Sequence, residues 1–156
     1  MTIVSRRLAL AAAGSVAFAA SAAGQSPADV VAVIERYAAA LKAGNVETLV
    51  GLYAADGSFV RENMQPAIGT TALRAAYKEV FATLKVDLAF TVKEAETSGD
   101  LAWLRATSGG RIKFLATGRE SEEAFNTLVV FRRVGDAWKI RSYLYASSKP
   151  GPRPPA

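Results

Sequence analysis

The 156-residue chain contains neither cysteine nor histidine. Without cysteine there is no disulfide, no thiolate nucleophile and no thiolate zinc site. Without histidine there is no Ser-His-Asp triad and no imidazole general base. Acid-base chemistry is left to Asp, Glu, Tyr or Lys. We expect no metal site and no cofactor. Long hydrophobic runs are also scarce. Leu8–Ala20 is uncharged, but its roughly 13 residues fall short of the ~20 needed to span a bilayer.

That run follows Arg6 and Arg7 and precedes Ala20-Ser21-Ala22. A basic start, a short apolar stretch and a small-x-small site together predict a cleavable signal peptide over residues 1–22. The expected location is periplasmic or secreted, with no stable membrane anchor after cleavage. Ser5-Arg6-Arg7-Leu8 also resembles a twin-arginine export signal. Removing Arg6 and Arg7 lowers the net charge from +5 to +3. Setting Lys149 and Arg153 aside as part of a tail leaves 15 basic against 14 acidic side chains. The folded part is nearly neutral, so no nucleic-acid partner is expected.

Ser26-Pro27 predicts a helix start, with Ser26 as N-cap and Asp29 favourable to the helix dipole. Val30, Val33, Ile34, Tyr37 and Leu41 share one stripe, and Gly44 ends the helix. Asn45 caps a second short helix with Leu49, Leu52 and Tyr53 as its apolar face. Asp56-Gly57 reads as a turn and Ser58–Arg61 as a short strand. Thr70 or Thr71 caps a third helix that reaches Leu84. Its apolar face holds Leu73, Ala76, Tyr77, Val80, Phe81 and Leu84.

Alternation then replaces the helical period. Strands are expected over Asp87–Thr97, Leu101–Ser108, Arg111–Ala116, Glu123–Val134 and Trp138–Ala146. Hairpin turns fall at Gly99-Asp100 and Gly135-Asp136. Helices followed by antiparallel strands give an α+β fold, with the helices on one face of a bent sheet. The domain spans 27–147, and a Pro-rich disordered tail is expected over 148–156.

The order of elements resembles the nuclear transport factor 2-like superfamily, which includes SnoaL-like proteins and ketosteroid isomerases. Glu35-Arg36-Tyr37 through Gly44-Asn45 resembles its opening helix. Leu52–Asp56, Ile68-Gly69-Thr70, Gly99–Ala102 and Phe131–Ile140 continue the likeness in order. The resemblance implies a cone of three N-terminal helices packed on a curved, mainly antiparallel sheet. It also implies an apolar cavity at the wide end and a homodimer through the outer sheet face.

Tyr37 lies on the buried stripe, where its hydroxyl needs a partner. In its Arg-Tyr-x-x-x-Leu setting it matches the tyrosine that ketosteroid isomerases use as an oxyanion donor. The alternative is a core tyrosine with a satisfied hydroxyl. The isomerase base is a carboxylate, but carrying its position over from Tyr37 lands on Arg61, which cannot act as a base. Glu62 and Asp56 remain as candidate bases. Arg61 would pair with an acidic ligand group at the cavity mouth, or with Glu62 or Glu79 at the surface.

Tyr53, Phe59, Tyr77, Phe81 and Trp103 are either pocket walls or plain core. Arg105, Asn126 and Ser142 are pocket groups if they face inward and ordinary surface if they do not. On the last strand, Trp138, Ile140 and Leu144 are expected to face the helices. Arg141, Tyr143 and Tyr145 should then lie outside, where a partner copy would cover them. The functional expectation is an exported domain that binds a small, mostly apolar or acidic molecule. Two alternatives stand beside it: an isomerase, dehydratase or cyclase acting next to a carbonyl, and a non-catalytic dimeric assembly module.

Overall fold

A computed structural model describes residues 26–149. The expected signal peptide and all but the first two residues of the expected tail lie outside that range. Helix α1 (Pro27–Ala43) begins in a capping box. The Ser26 hydroxyl accepts from Ala28 N–H, and the Asp29 carboxylate accepts from Ser26 N–H. The helix ends where Gly44 takes a left-handed φ of 66° and its N–H reaches back to the last turn. Its buried side is Val30, Val33, Ile34, Tyr37, Ala40 and Leu41, the anticipated stripe plus Ala40.

Helix α2 (Val46–Gly51) is capped by the Asn45 side chain, which accepts from Thr48 N–H at 3.0 Å. Strand β1 (Tyr53–Val60) follows at once. Tyr53 therefore belongs to a strand and not to a helix face. Asp56-Gly57 lies inside β1, where the pairing with the last strand shifts register between Tyr53 and Ser58. A two-residue strand β2 (Ala67–Ile68) leads into helix α3 (Gly69–Thr83). Ile68 occupies the N-cap and offers no side-chain bond, so neither Thr70 nor Thr71 caps this helix.

Four long strands complete the chain: β3 (Leu84–Ser98), β4 (Leu101–Phe114), β5 (Glu120–Val134) and β6 (Ala137–Ser147). Their antiparallel meander turns at Gly99 and Gly135, both with positive φ. The sheet order is β2-β1-β6-β5-β4-β3, and only β1 and β6 run parallel. The α+β fold with a curved, mostly antiparallel sheet holds as expected. Strand β4 runs unbroken through Ser108-Gly109-Gly110, where the glycines suggested a break.

One irregularity changes which side chains face the helices. Phe131 pairs with Ile140, but Val130 pairs with Ser142. Arg141 is the extra residue of a β-bulge, and a bulge resets the alternation beyond it. Trp138 and Ile140 face inward before the bulge, and Tyr143 faces inward after it. Leu144 is 42% exposed. The assignment of Tyr143 and Tyr145 to the outer face, and of Leu144 to the core, is therefore corrected. Past β6, the Ser148 N–H donates to Ala124 O at 2.9 Å and Lys149 pairs with Glu123.

A tyrosine-lined candidate ligand cavity

All five tyrosines of the chain gather between α1, α3, β1 and β6. Helix α1 delivers Tyr37 and α3 delivers Tyr77, each from the middle of its buried stripe. Tyr53 opens β1, while Tyr143 and Tyr145 follow the bulge on β6. Tyr77 is the hub of the hydroxyls. Its oxygen lies 3.0 Å from that of Tyr37 and 2.7 Å from that of Tyr53. Rings pack as closely: Tyr37 stacks on Tyr143 with centroids 4.6 Å apart, and Phe59 on Tyr77 at 4.8 Å.

Burial lifts the pKa of Tyr37, Tyr53, Tyr77 and Tyr143 well above the ordinary 10.0. A phenolate there would lose its hydration, and neighbouring phenols add to the penalty. At neutral pH these groups are uncharged hydroxyls that can donate and accept hydrogen bonds. Burial also raises Tyr145, partly offset by the positive charge of Arg61.

Beside this cluster is a half-open cavity of about 80 Å³. Leu41, Phe59, Val86, Leu88, Phe90 and Ile112 supply much of its apolar wall. The polar side chains among its lining residues all carry hydroxyls: Tyr37, Tyr77, Ser108, Tyr143 and Tyr145. No charged side chain lines it among the described residues. The alternation of Val86, Leu88 and Phe90 along β3 was a legible sign of one buried face. Tyr143 and Tyr145 were hidden by the bulge.

The candidate residues sort cleanly by position. Tyr37, Phe59 and Tyr77 line the cavity. Tyr53 lies behind it, bonded to Tyr77. Phe81 stacks on Tyr77 at 6.4 Å and lines a separate shallow groove with Gly44 and Leu115. Trp103, Arg105 and Asn126 alternate with the buried residues of β4 and β5, so they lie on the outer face. Arg105 pairs there with Glu94 at 2.6 Å. Ser142 accepts a hydrogen bond from Ser58 at 3.0 Å, also away from the cavity. Trp103 is thereby corrected from pocket wall or core to the outer face, and for Arg105, Asn126 and Ser142 the outward alternative replaces the ligand-binding one.

Neither candidate base reaches Tyr37. Asp56 is held by Arg132 at 2.6 Å and Arg141 at 3.4 Å. Partial loss of hydration raises its pKa, but these arginines outweigh it and the carboxyl sits below its ordinary value. Glu62 is exposed and accepts from Ser147 N–H at 2.8 Å. Arg61 follows the last residue of β1 and is not among the cavity-lining residues, its side chain 12% exposed.

A family model described as SnoaL-like domain matches residues 34–142. The chain belongs to the SnoaL-like family. Among solved structures, it resembles a ketosteroid isomerase-like protein from Erwinia carotovora atroseptica, with TM-score 0.75 and 26% identity over 79% of this chain and 96% of that one. A Streptomyces avermitilis protein of the NTF2-like family, proposed to be a dehydratase, aligns with TM-score 0.69 and 19% identity over 79% and 97% of the two chains. An NTF2-like protein with a cystatin-like fold from Novosphingobium aromaticivorans gives 0.62 and 20%, over 80% and 82%. No curated protein matches the sequence. The last two likenesses speak to fold alone.

Proposed function

We propose that this SnoaL-like protein is exported and that its cone holds a small, mostly apolar molecule whose oxygen meets the tyrosine hydroxyls. The observation that carries the reading is the cavity wall: aliphatic and aromatic side chains together with neutral hydroxyl-bearing ones, and no charged side chain among the described residues. Such a site favours an uncharged body with one or two hydrogen-bonding atoms. An engineered apolar cavity of ~150 Å³ takes up benzene. The smaller, half-open space here suits a short chain or the end of a ring, with the rest of the molecule in the mouth. Carbonyl chemistry by the isomerase route lacks its second half, because neither Asp56 nor Glu62 lines the cavity.

A second copy of the chain is the proposed partner of the outer sheet face. In the cross-strand register, Trp103 sits beside Val130, and Leu128 beside both Arg105 and Leu144. Leu101, Leu128 and Leu144 are 56%, 43% and 42% exposed. An apolar patch between charged borders is typical of the centre of a subunit interface.

One measurement addresses ligand, export and assembly together: native mass spectrometry of protein purified from its own host. The expected spectrum shows a dimer of chains that begin near residue 23, with a small adduct released on activation. A full-length chain would count against export, and a monomer against the sheet-face dimer. In a thermal-shift panel of short alcohols, ketones and aryl compounds, a ligand at ~100 times its Kd should add about 2.7 kcal/mol, on the order of 10 °C. A Val86→Phe variant, which fills the cavity, should show no shift. If no compound moves the melting temperature, the ligand reading fails.

A further inference from the structure

We propose that Arg61 is the anchor for an anionic head, so that the ligand of this cavity is a small amphipathic carboxylate. The inference rests on the apolar-ligand reading above and names the class of molecule. Its starting point is an unspent donor. The Nε–H of Arg61 is buried and has no hydrogen-bond partner among the described residues. Leaving a buried guanidinium donor unpaired is costly, so such a group usually answers to something.

Position supplies the rest. The Arg61 Cζ stands 5.8 Å from the centroid of the Phe59 ring, and Phe59 is a cavity wall. Phe59 packs in turn against Tyr145, another wall residue, with ring centroids 5.9 Å apart. Among the described residues its one ion pair is through Nη1, 3.1 Å from Glu79 Oε2. A guanidinium offers five donors in a planar fork, and the edge that carries Nε is the one a carboxylate grips bidentately. A molecule with its chain among Leu88, Phe90 and Tyr143 would bring its head to this edge after a modest swing of the side chain.

Local charge narrows the head group. Glu79 pairs with Arg61 and Glu62 follows it in the chain, so two acids neighbour this base. Glu79 is 59% exposed and Glu62 is engaged by Ser147 N–H, so water and salt screen both. With both acids screened the buried guanidinium dominates, and a carboxylate has the planar, two-oxygen shape that matches its Nε edge.

Matched pairs test the idea: hexanoate against 1-hexanol, and 3-phenylpropanoate against 3-phenylpropanol, titrated calorimetrically into the purified protein. Each acid should bind at least about tenfold more tightly than its alcohol, the scale of a charge-assisted hydrogen bond. Arg61→Gln should remove that advantage and leave alcohol affinity within about threefold. Glu79→Gln should tighten the acids a few-fold by freeing Nη1. Because Glu79 is exposed, that variant keeps the test open if Arg61→Gln folds poorly. Alcohols that bind as well as acids would overturn the anchor and leave the apolar-ligand reading intact. If neither class binds, both fall.

Discussion

Raising the pH from about 9 to about 11 should remove about 5 to 6 kcal/mol of stability and unfold the protein in one step. The cause is the four buried phenols, Tyr37, Tyr53, Tyr77 and Tyr143. Their folded pKa values are raised, so in this range the unfolded chain loses protons that the native state keeps. The native state then binds more protons, and stability falls as pH rises. The contribution is fully present below the unfolded pKa of 10.0 and is lost upward from there. Each phenol costs about 1.4 kcal/mol by one pH unit above its unfolded value, as long as the folded value lies higher. Four of them amount to a large part of the ~5–15 kcal/mol that holds a typical domain. Tyrosinate absorbance near 295 nm should therefore appear abruptly, together with loss of circular dichroism. Four of the five tyrosines should ionise only in that step, and Tyr145, which is partly buried, adds one smaller component. Tyr37→Phe should reduce the steepness by about a quarter. A smooth titration centred near 10 with intact secondary structure would mean that the hydroxyls reach solvent, and the dry cluster would be wrong.

That cluster was only partly legible in the sequence, for a specific reason. Helix α1 declares itself locally: Ser26, Pro27, Asp29 and Gly44 mark its ends, and the stripe through Tyr37 has helical spacing. Tyr77 and Phe81 are likewise one turn apart on α3. Strands declare their existence by alternation but not their absolute facing, which depends on partners far along the chain. Arg105 and Asn126 were ambiguous on that account, Trp103 was read as pocket wall or core, and register turns all three outward. Arg141 is harder still. Nothing in Lys139-Ile140-Arg141-Ser142 announces a bulge, yet it turns Tyr143 and Tyr145 from surface residues into cavity walls. Asp56-Gly57 misled in the opposite sense: a turn-forming pair serves here as the irregular middle of β1. At Gly57 a Cβ would stand 2.8 Å from Ile140 O and 2.9 Å from Ala54 O, so glycine is needed for close approach of backbones and not for reversal.

Neighbouring glycines in β4 turn the same distinction into a measurement. Gly109 and Gly110 look equivalent in sequence, and both lie within the strand. Gly110 has a φ of 147°, and a Cβ there would fall on the Asp87 carbonyl oxygen and within 3.3 Å of Leu88 Cα. Those atoms belong to the backbone of β3, which is held in register by Leu88↔Gly110 and its neighbours, so neither can step aside alone. At Gly109 the nearest atom to a new Cβ is Glu123 O at 3.5 Å, an ordinary contact, and φ is unremarkable. Gly110→Ala should therefore cost about 3 kcal/mol or more, combining backbone strain with displaced strand pairing. Gly109→Ala should stay within about 0.5 kcal/mol of the parent, or gain slightly from a less floppy unfolded chain. Chemical denaturation of both variants decides the matter. The effect should also reach the cavity, because Ser108 and Ile112 flank Gly110 on β4, and Val86 and Leu88 stand across from it on β3. A displaced β3 moves that wall, so hexanol or hexanoate binding should weaken in Gly110→Ala even at temperatures where it remains folded. Equal stability of the two variants would show that β3 and β4 can separate without loss, and the rigid wall inferred for the cavity would have to be given up.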